Sequence, residues 1–322
     1  MTATLAAWGL KAPLALLLYI TTVQQPGLPT ANPDADTIGI EQDRAARMTV
    51  GISIDGRGPF SFMIDTGSER TVLSRGVAER LSLDAEQPAT LMSMAGTRAV
   101  DMVYVPELTL GKRSYGGFVT PVLEGRHIGA DGILGLDSLQ GQRIRFDFIK
   151  NEIAVEDVKA AKVPATRNEI VVTARRRSGQ LIFTDATIAG IKVDVVVDTG
   201  AQISIGNLAL QKKLRQRAKE LGDDTLLQTV TGDTIGVDMG YARDFRLGRA
   251  YFERLPLAFV DAPPFEHLGL ARKPALMLGM NALRKFDAMA IDFSARKVYF
   301  VAPANAPRST PPVTTGMSIN RG

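Results

Sequence analysis

The feature that most constrains the fold of this chain is an internal repeat, in which one apolar pattern and the tripeptide after it occur twice. Residues 61–68 read Ser-Phe-Met-Ile-Asp-Thr-Gly-Ser, and residues 194–201 read Asp-Val-Val-Val-Asp-Thr-Gly-Ala. The two aspartates, Asp65 and Asp198, are 133 residues apart in a chain of 322. Self-similarity of this kind indicates two copies of one structural unit. The chain is therefore expected to fold as two similar lobes.

Each copy carries a second matched motif, in which apolar residues are followed by glycine. Residues 131–135 read Asp-Gly-Ile-Leu-Gly, and residues 275–279 read Ala-Leu-Met-Leu-Gly. The last glycine follows the repeated aspartate by 70 residues in the first copy and by 81 in the second. Leu208 to Leu221 places apolar residues at roughly helical spacing, which predicts a longer amphipathic helix in the second copy only. That helix accounts for the extra residues.

Most other segments are short, β-rich and bounded by turns, which predicts a mainly β protein. A turn precedes each aspartate motif, with Asp-Gly at residues 55–56 and Ala-Gly at residues 189–190. Further predicted strands are Met102–Leu110, Ile170–Ala174, Leu181–Ile188 and Leu255–Val260.

The N-terminal residues have the pattern of a targeting segment. Residues 1–31 carry one charge, Lys11, and an apolar run extends from Ala12 to Val23. The run suits the apolar region of a signal peptide and is shorter than the roughly 20 residues of a membrane span. We expect a cleaved export signal and a periplasmic or secreted protein. The alternative is an uncleaved segment that anchors the protein to the membrane.

The remaining boundaries follow from the repeat and from composition. The N-terminal lobe is assigned to residues 32–155, the connection between the lobes to residues 156–168, and the C-terminal lobe to residues 169–301. The tail, residues 302–322, combines four prolines with small polar residues, which predicts disorder.

Composition excludes several kinds of chemistry. A net charge of +4 is too weak to indicate nucleic-acid binding, and the run Arg175–Arg177 is interpreted as a solvated hairpin tip. Cysteine is absent, which excludes disulfides and thiolate nucleophiles. The two histidines, His127 and His267, belong to no metal-ligand motif. Asp131 and Asp137, which flank the first glycine motif, are interpreted as turn and cap residues.

The two Asp-Thr-Gly motifs with their glycine motifs resemble the half-sites of aspartic peptidases of the pepsin and retropepsin type. The resemblance covers about residues 45–301. It implies a bilobal pepsin-like fold, with two similar β-barrel-like lobes and a cleft between them. The chain resembles a retropepsin dimer fused into one polypeptide, which would work as a monomer. The missing disulfides favour a bacterial retropepsin-like relative over a pepsin.

The resemblance implies that Asp65 and Asp198 are the catalytic residues of an endopeptidase acting on proteins or peptides. Two carboxylates held a few ångström apart cannot both ionise easily, so the pair keeps one proton; aspartic proteases are the known example. The ionised member would activate a water, and the protonated member would hydrogen-bond the substrate carbonyl. This chemistry requires no metal and no cofactor. The alternative is a catalytically silent, peptidase-like module that binds peptides.

Other residues of the motifs are expected to support the aspartates. Thr66 and Thr199 can hydrogen-bond across the pseudo-two-fold axis and fix the two loops. Gly67 and Gly200 allow tight turns that bring backbone N–H groups to the carboxylates.

The fourth residue differs between the two motifs. Ser68 is expected to donate its hydroxyl proton to Asp65, whereas Ala201 has no donor for Asp198. A donor favours the ionised carboxyl, so Asp65 is predicted to be the more acidic member and Asp198 to hold the shared proton.

Two glycine-containing turns are candidates for β-hairpin flaps over the cleft. The first includes Gly96 and Thr97, and the second includes Gly232 and Asp233. Two flaps would resemble the retropepsin arrangement, and one would resemble the pepsin arrangement.

Overall fold

A computed structural model describes residues 36–39, 41–42, 48–139, 142–157, 169–215 and 224–304. The predicted export segment lies outside the described residues, as do 158–168 of the predicted connection and 305–322 of the predicted tail. Within the described ranges, no helix combines the length and apolar character needed to cross a membrane.

The described chain is mainly β-structure, as the sequence predicts. The N-terminal lobe contains the strands β1 Asp36–Gly39, β2 Glu41–Gln42, β3 Met48–Ile54, β4 Arg57–Ile64, β5 Val72–Ser74, β6 Ala85–Ser93, β7 Gly96–Leu110, β8 Arg113–Leu123, β9 Gly132–Leu134, β10 Gln142–Asp147 and β11 Glu152–Asp157, with the helices α1 Arg75–Leu81, α2 Gly125–Ile128 and α3 Leu136–Leu139. The C-terminal lobe contains the strands β12 Glu169–Arg177, β13 Gln180–Ile188, β14 Ile191–Val197, β15 Ser204–Gly206, β16 Asp224–Gln228, β17 Thr234–Leu247, β18 Ala250–Phe259, β19 Ala275–Leu278, β20 Ala288–Asp292 and β21 Lys297–Val301, with the helices α4 Leu208–Arg215, α5 Pro263–His267 and α6 Met280–Leu283.

The internal repeat becomes a repeated topology. In each lobe a hairpin, β3–β4 or β13–β14, leads into the aspartate motif, and its second strand pairs in parallel with the strand of the glycine motif, β9 or β19. Both central residues of each hairpin turn, at 55–56 and 189–190, have positive φ, as the tightest hairpin turns require. The prediction of two similar lobes is confirmed.

The two lobes are joined by a shared sheet. An eight-stranded sheet contains only strands of the N-terminal lobe, in the order β2-β3-β4-β9-β5-β8-β7-β6. The other sheet has 13 strands and runs from β1, β11 and β10 through β20, β21 and β12 into the rest of the C-terminal lobe. The lobes meet where β10 pairs with β20, and Phe146 of β10 and Met289 of β20 are both buried there. β11 continues to Asp157, through the first two residues of the predicted connection.

The longer helix predicted for the second copy is described in part, because residues 216–221 of the prediction lie outside the described residues, and the first copy has a short helix of its own. α4 begins at Leu208, as predicted, and is described as far as Arg215. The first lobe has α1 at the corresponding place, directly after its own short strand. Ser74 caps α1 by accepting a hydrogen bond from the Val77 amide, and the helix buries Val77 and Leu81. Seven residues make only two turns, too few for a clear helical period in the sequence.

The run of three arginines ends a strand, as the hairpin interpretation predicts. Arg177 pairs with Gln180 across the turn at Ser178 and Gly179, so the run belongs to the β12–β13 hairpin. The hairpin strands are longer than predicted because their solvated ends lack the apolar alternation by which strands are recognised.

Candidate active site

The two aspartates occupy equivalent places at the ends of parallel strand pairs. Asp65 follows β4, and its backbone N–H donates to the Leu134 carbonyl of β9 at 3.1 Å. Asp198 follows β14, and its N–H donates to the Leu278 carbonyl of β19 at 3.0 Å. Each carboxyl is therefore presented from the end of a rigid strand.

The glycine of each second motif makes room for the loop that follows the aspartate. A Cβ on Gly135 would overlap the backbone of Arg70, and a Cβ on Gly279 would lie 2.7 Å from the Ile203 carbonyl carbon. Both distances are shorter than any real Cβ contact, so the backbones could not approach in this way with a larger residue. Steric need thus explains why glycine recurs at this position.

Two threonines connect the aspartate loops across the lobes, as the resemblance implies. The Thr66 N–H donates to Thr199 Oγ1 at 3.0 Å, and the Thr199 N–H donates to Thr66 Oγ1 at 3.2 Å. Each hydroxyl in turn donates to a backbone carbonyl of the opposite lobe, Thr66 to Val197 at 2.9 Å and Thr199 to Ile64 at 2.8 Å. Both threonines are buried. This network fixes the position of one aspartate loop relative to the other.

Each carboxylate accepts the same two backbone hydrogen bonds within its own loop. Asp65 Oδ1 accepts from the N–H groups of Gly67 at 2.8 Å and Ser68 at 3.1 Å. Asp198 Oδ1 accepts from the N–H groups of Gly200 and Ala201, both at 3.0 Å. The tight turn expected from the glycines therefore brings two donors to each carboxyl group.

The same glycines also let the two carboxyl groups approach each other. A Cβ on Gly67 would lie 2.7 Å from Cγ of Asp198, and a Cβ on Gly200 would overlap the carboxyl of Asp65. Each loop thus packs its glycine directly against the aspartate of the other lobe. Any side chain at either position would push the two aspartates apart.

The proximity of the two aspartates changes their protonation. Burial, followed by the negative charge of Asp65, raises the pKa of Asp198 from its ordinary 3.8 to about 8. A hydrogen bond with the Asp65 side chain acts in the same direction, whereas the N–H groups of Ala201 and Gly200 oppose the shift. Asp198 therefore keeps its proton up to about pH 8, next to the negative charge of Asp65.

The expected role of Ser68 is wrong. Its hydroxyl donates to the Arg70 carbonyl at 2.8 Å, and its single proton is therefore not available to Asp65. Ser68 reaches Asp65 through its backbone N–H, as Ala201 reaches Asp198. The difference between serine and alanine thus does not make the two carboxyl groups unequal.

A second set of side-chain contacts connects each aspartate loop to its glycine motif. The sequence analysis did not predict this connection. Asp137 Oδ1 accepts from the Thr71 N–H at 2.9 Å and from its hydroxyl at 2.7 Å. In the second lobe Asn281 Oδ1 accepts from the Ser204 N–H at 2.9 Å and from its hydroxyl at 2.7 Å. The interpretation of Asp137 as a turn or cap residue does not include this connection. Extending the repeat by two residues past each glycine would have aligned Asp137 with Asn281.

The four flap candidates lie at or beside the turns of two hairpins. Gly96 opens β7 after the turn of the β6–β7 hairpin, and Thr97 follows it. Gly232 and Asp233 lie in the turn that connects β16 with β17. Two hairpins are therefore present, one from each lobe.

The two hairpins contact each other. The Arg98 guanidinium donates to the Thr231 carbonyl at 2.7 Å and lies 3.5 Å from the Asp233 carboxylate. Gly232 packs against the ring of His127 in the first lobe, which leaves no room for a Cβ at this position. The other histidine, His267, also joins the lobes, because its Nε2 lies 2.9 Å from Glu69 Oε1. Neither histidine is brought to the aspartates by these contacts.

A family model described as "Aspartyl protease" matches residues 50–138 and 184–282, which together make up more than half of the chain. The first matched range contains Asp65 with its glycine motif, and the second contains Asp198 with its own. No curated protein sequence matches the chain.

Proposed function

Because the chain belongs to the aspartyl protease family, we propose that it is an aspartic endopeptidase whose catalytic residues are Asp65 and Asp198. The observation that carries the proposal is the hydrogen-bonded pair of carboxyl groups, one from each lobe, with the pKa of Asp198 raised to about 8. A pair that keeps one proton near neutral pH has both an acid and a base available. The proposed substrates are proteins or peptides.

The geometry supports a division of roles between the two carboxyl groups. Asp198 holds the proton, so it is the hydrogen-bond donor to the carbonyl oxygen of the scissile peptide. Asp65 is the ionised member, so it removes a proton from the water that attacks the carbonyl carbon. The resulting tetrahedral intermediate breaks its C–N bond as a proton passes to the leaving amine. The threonine network keeps both groups at a fixed separation throughout, so little reorganisation is needed.

The two flap hairpins complete the proposed site. We assign to Gly96 and Thr97 in the first hairpin, and to Gly232 and Asp233 in the second, the role of closing over a bound peptide. The contact between Arg98 and Thr231 supports this assignment, because it holds the two turns together. The arrangement with one hairpin from each lobe resembles that of a retropepsin dimer.

Peptide-library cleavage by the purified protein, with and without pepstatin, tests the proposal. Asp65→Asn and Asp198→Asn should each lower kcat by roughly 10²- to 10⁴-fold, because each removes one partner of the acid–base pair. Asp185→Asn is the matched control, because it changes an exposed aspartate on β13, and this variant should cleave normally. Peptide binding without cleavage by the unmodified protein would favour the silent binding module instead.

A further inference from the structure

A buried glutamine of the C-terminal lobe reaches into the aspartate loop of the N-terminal lobe. Gln180 is the first residue of β13, and only 4% of its surface is exposed. Its Nε2 donates a hydrogen bond to the Gly67 carbonyl oxygen at 2.6 Å. Among the described residues, its Oε1 is buried and has no hydrogen-bond partner. A buried amide with one unpaired oxygen lowers the stability of the fold. Stability therefore does not explain why a glutamine occupies this position.

The acceptor of this hydrogen bond belongs to the peptide group that binds Asp65. The carbonyl of Gly67 and the N–H of Ser68 are the two ends of one peptide unit, and that N–H donates to Asp65 Oδ1 at 3.1 Å. A hydrogen bond received by the carbonyl polarises the peptide and strengthens its N–H as a donor. The Gln180 amide therefore acts on the Asp65 carboxylate through a single peptide group, and it also fixes the orientation of that group.

The two copies of the repeat carry different residues at the position of this glutamine. The offset of 133 residues between the aspartates aligns Gln180 with Arg47, which lies outside the described residues. The hydrogen bonds from Gln180 to the Gly67 carbonyl and from the Ser68 N–H to Asp65 form a relay, which begins at a position where the two copies differ in residue type.

We propose that Gln180 is a positioning residue that makes Asp65 the ionised member of the pair and therefore the general base. The proposal rests on the function proposed above. It also supplies the inequality between the two carboxyl groups that the Ser68 hydroxyl does not provide.

Charged groups from several elements lie around this relay. They are Asp198, which lies against Asp65, Glu69 of the same loop with its partner His267 of α5, and Arg177, which pairs with Gln180 across the β12–β13 turn. A neutral substitution at Gln180 leaves all of these charges in place. A change in the ionisation of Asp65 would therefore come from the lost hydrogen bond.

Gln180→Met tests the relay, because methionine has similar length and volume but cannot donate. In the full-length protein we expect kcat for a cleaved peptide to fall about 5- to 10-fold, since one hydrogen bond is lost, while KM stays within about twofold. The acidic limb of the kcat/KM profile should move to higher pH, because Asp65 ionises less readily. Gln211→Met is the matched control, because Gln211 is also buried but bonds Asp238 rather than an aspartate loop.

Arg47→Met tests whether Gln180 is the source of the difference between the two carboxyl groups. This substitution removes both a donor and a charge at the position that the repeat aligns with Gln180. NMR titration of 13C-labelled aspartate carboxyls should show a smaller shift of Asp198 in Arg47→Met than of Asp65 in Gln180→Met. A shift of equal or greater size would mean that both loops are supported alike, and it would overturn the assignment of Gln180 as the source of the difference.

Two further outcomes would overturn the proposal. One is wild-type kinetics in Gln180→Met. The other is a lower kcat with an unmoved acidic limb and a reduced melting temperature, which would indicate a merely structural residue. The NMR titration separates this proposal from the proposed function. If no peptide is cleaved but the Asp65 titration moves to higher pH in Gln180→Met, the relay stands and the endopeptidase assignment fails. An unmoved titration refutes the relay whether or not peptides are cleaved.

Discussion

The absence of a side chain at Gly67 and Gly200 sets the distance between the two carboxyl groups. Each glycine lies against the aspartate of the opposite lobe, and a single methyl group would enter the space of that carboxyl. The backbone N–H groups of the same two glycines also donate hydrogen bonds to the carboxylates. Separation and hydrogen bonding are therefore both determined by the same two residues.

Gly200→Ala should lower kcat/KM by about 100-fold or more, because displacing a catalytic group by about 1 Å has an effect of this size. Steady-state cleavage of a peptide measures it. Gly76→Ala is the control, because a Cβ there meets no atom within 4 Å. That control should cleave normally and gain up to about 1 kcal/mol in free energy of unfolding, since alanine favours helix α1. Normal cleavage by Gly200→Ala would show that the loops can separate without harm.

The raised pKa of Asp198 has a consequence for stability. The folded protein keeps a proton on this group up to about pH 8, whereas the unfolded chain releases it near its ordinary 3.8. Between these values the folded state binds more protons, so raising the pH lowers the free energy of unfolding. Asp198→Asn cannot lose a proton and should therefore gain in melting temperature relative to the unmodified protein as the pH rises from about 4 to about 8. If the melting temperatures of the two proteins changed in parallel across this pH range, the raised pKa of Asp198 would be contradicted.

At the residue scale, the sequence predicts what the backbone requires but not where side chains point. The Asp-Thr-Gly repeats identify the aspartates, the threonines and the glycines, because chemistry and steric need fix those residue types. The hydroxyl of Ser68 donates to the Arg70 carbonyl, an acceptor that is determined by loop geometry rather than by residue type. The contact of Gln180 with Gly67 joins residues 113 positions apart, for which the local sequence carries no signal.

Among the secondary-structure elements, the two flap hairpins are joined by a close polar contact of one arginine. The bond from Arg98 to the Thr231 carbonyl is short and charge-assisted, at 2.7 Å. The ion pair of Arg98 with Asp233 is longer, at 3.5 Å, and about half of each side chain is exposed, so it contributes about 0–1 kcal/mol. Met94 of the first hairpin turn also packs against an apolar cluster of the C-terminal lobe, while Val230 of the second packs against one of the N-terminal lobe.

Arg98→Met should loosen the contact between the hairpins. We expect the amides of both turns to exchange with deuterium about fivefold faster or more, because a hydrogen bond from a charged donor is lost. Asp233→Asn is the companion variant, and it should change the exchange rate by less than about threefold, since only the exposed ion pair is weakened. Equal effects of the two variants would mean that the ion pair, not the carbonyl bond, holds the turns.

Elements were predictable where they alternate regularly and end at recognisable turns. The β12–β13 hairpin and the strands around both aspartates were predicted for this reason. β7 is longer than the predicted strand from Met102, because its first residues form an exposed hairpin arm without apolar alternation. The short helix α1 was missed because its two turns give too few residues to establish a period.

For the whole molecule, the sheet that crosses from one lobe to the other determines the functional unit. β10 of the N-terminal lobe pairs with β20 of the C-terminal lobe, and the threonine network adds a second connection near the aspartates. Both half-sites are thus held together within one polypeptide, and a monomer is the proposed active form.

Specific activity should therefore not change on dilution through the nanomolar range, because no subunits need to associate. Peptide cleavage at a series of enzyme concentrations, with the molecular mass checked by sedimentation at each end, measures this. A steep fall in activity per molecule on dilution would show that two chains are required.

Because the shared sheet joins both lobes in one chain, it also affects the orientation in which a peptide would bind. An enzyme of two identical subunits presents the same surface to both sides of the scissile bond, so a peptide binds equally well in either orientation. In a single chain a substitution affects one side alone, and the two sides here already differ, with Glu69 on one loop where the other loop has Gln202. A polypeptide runs from its N-terminus to its C-terminus and has no two-fold symmetry. One orientation in the cleft should therefore be preferred, and the residues before and after the cleaved bond are selected by different surfaces.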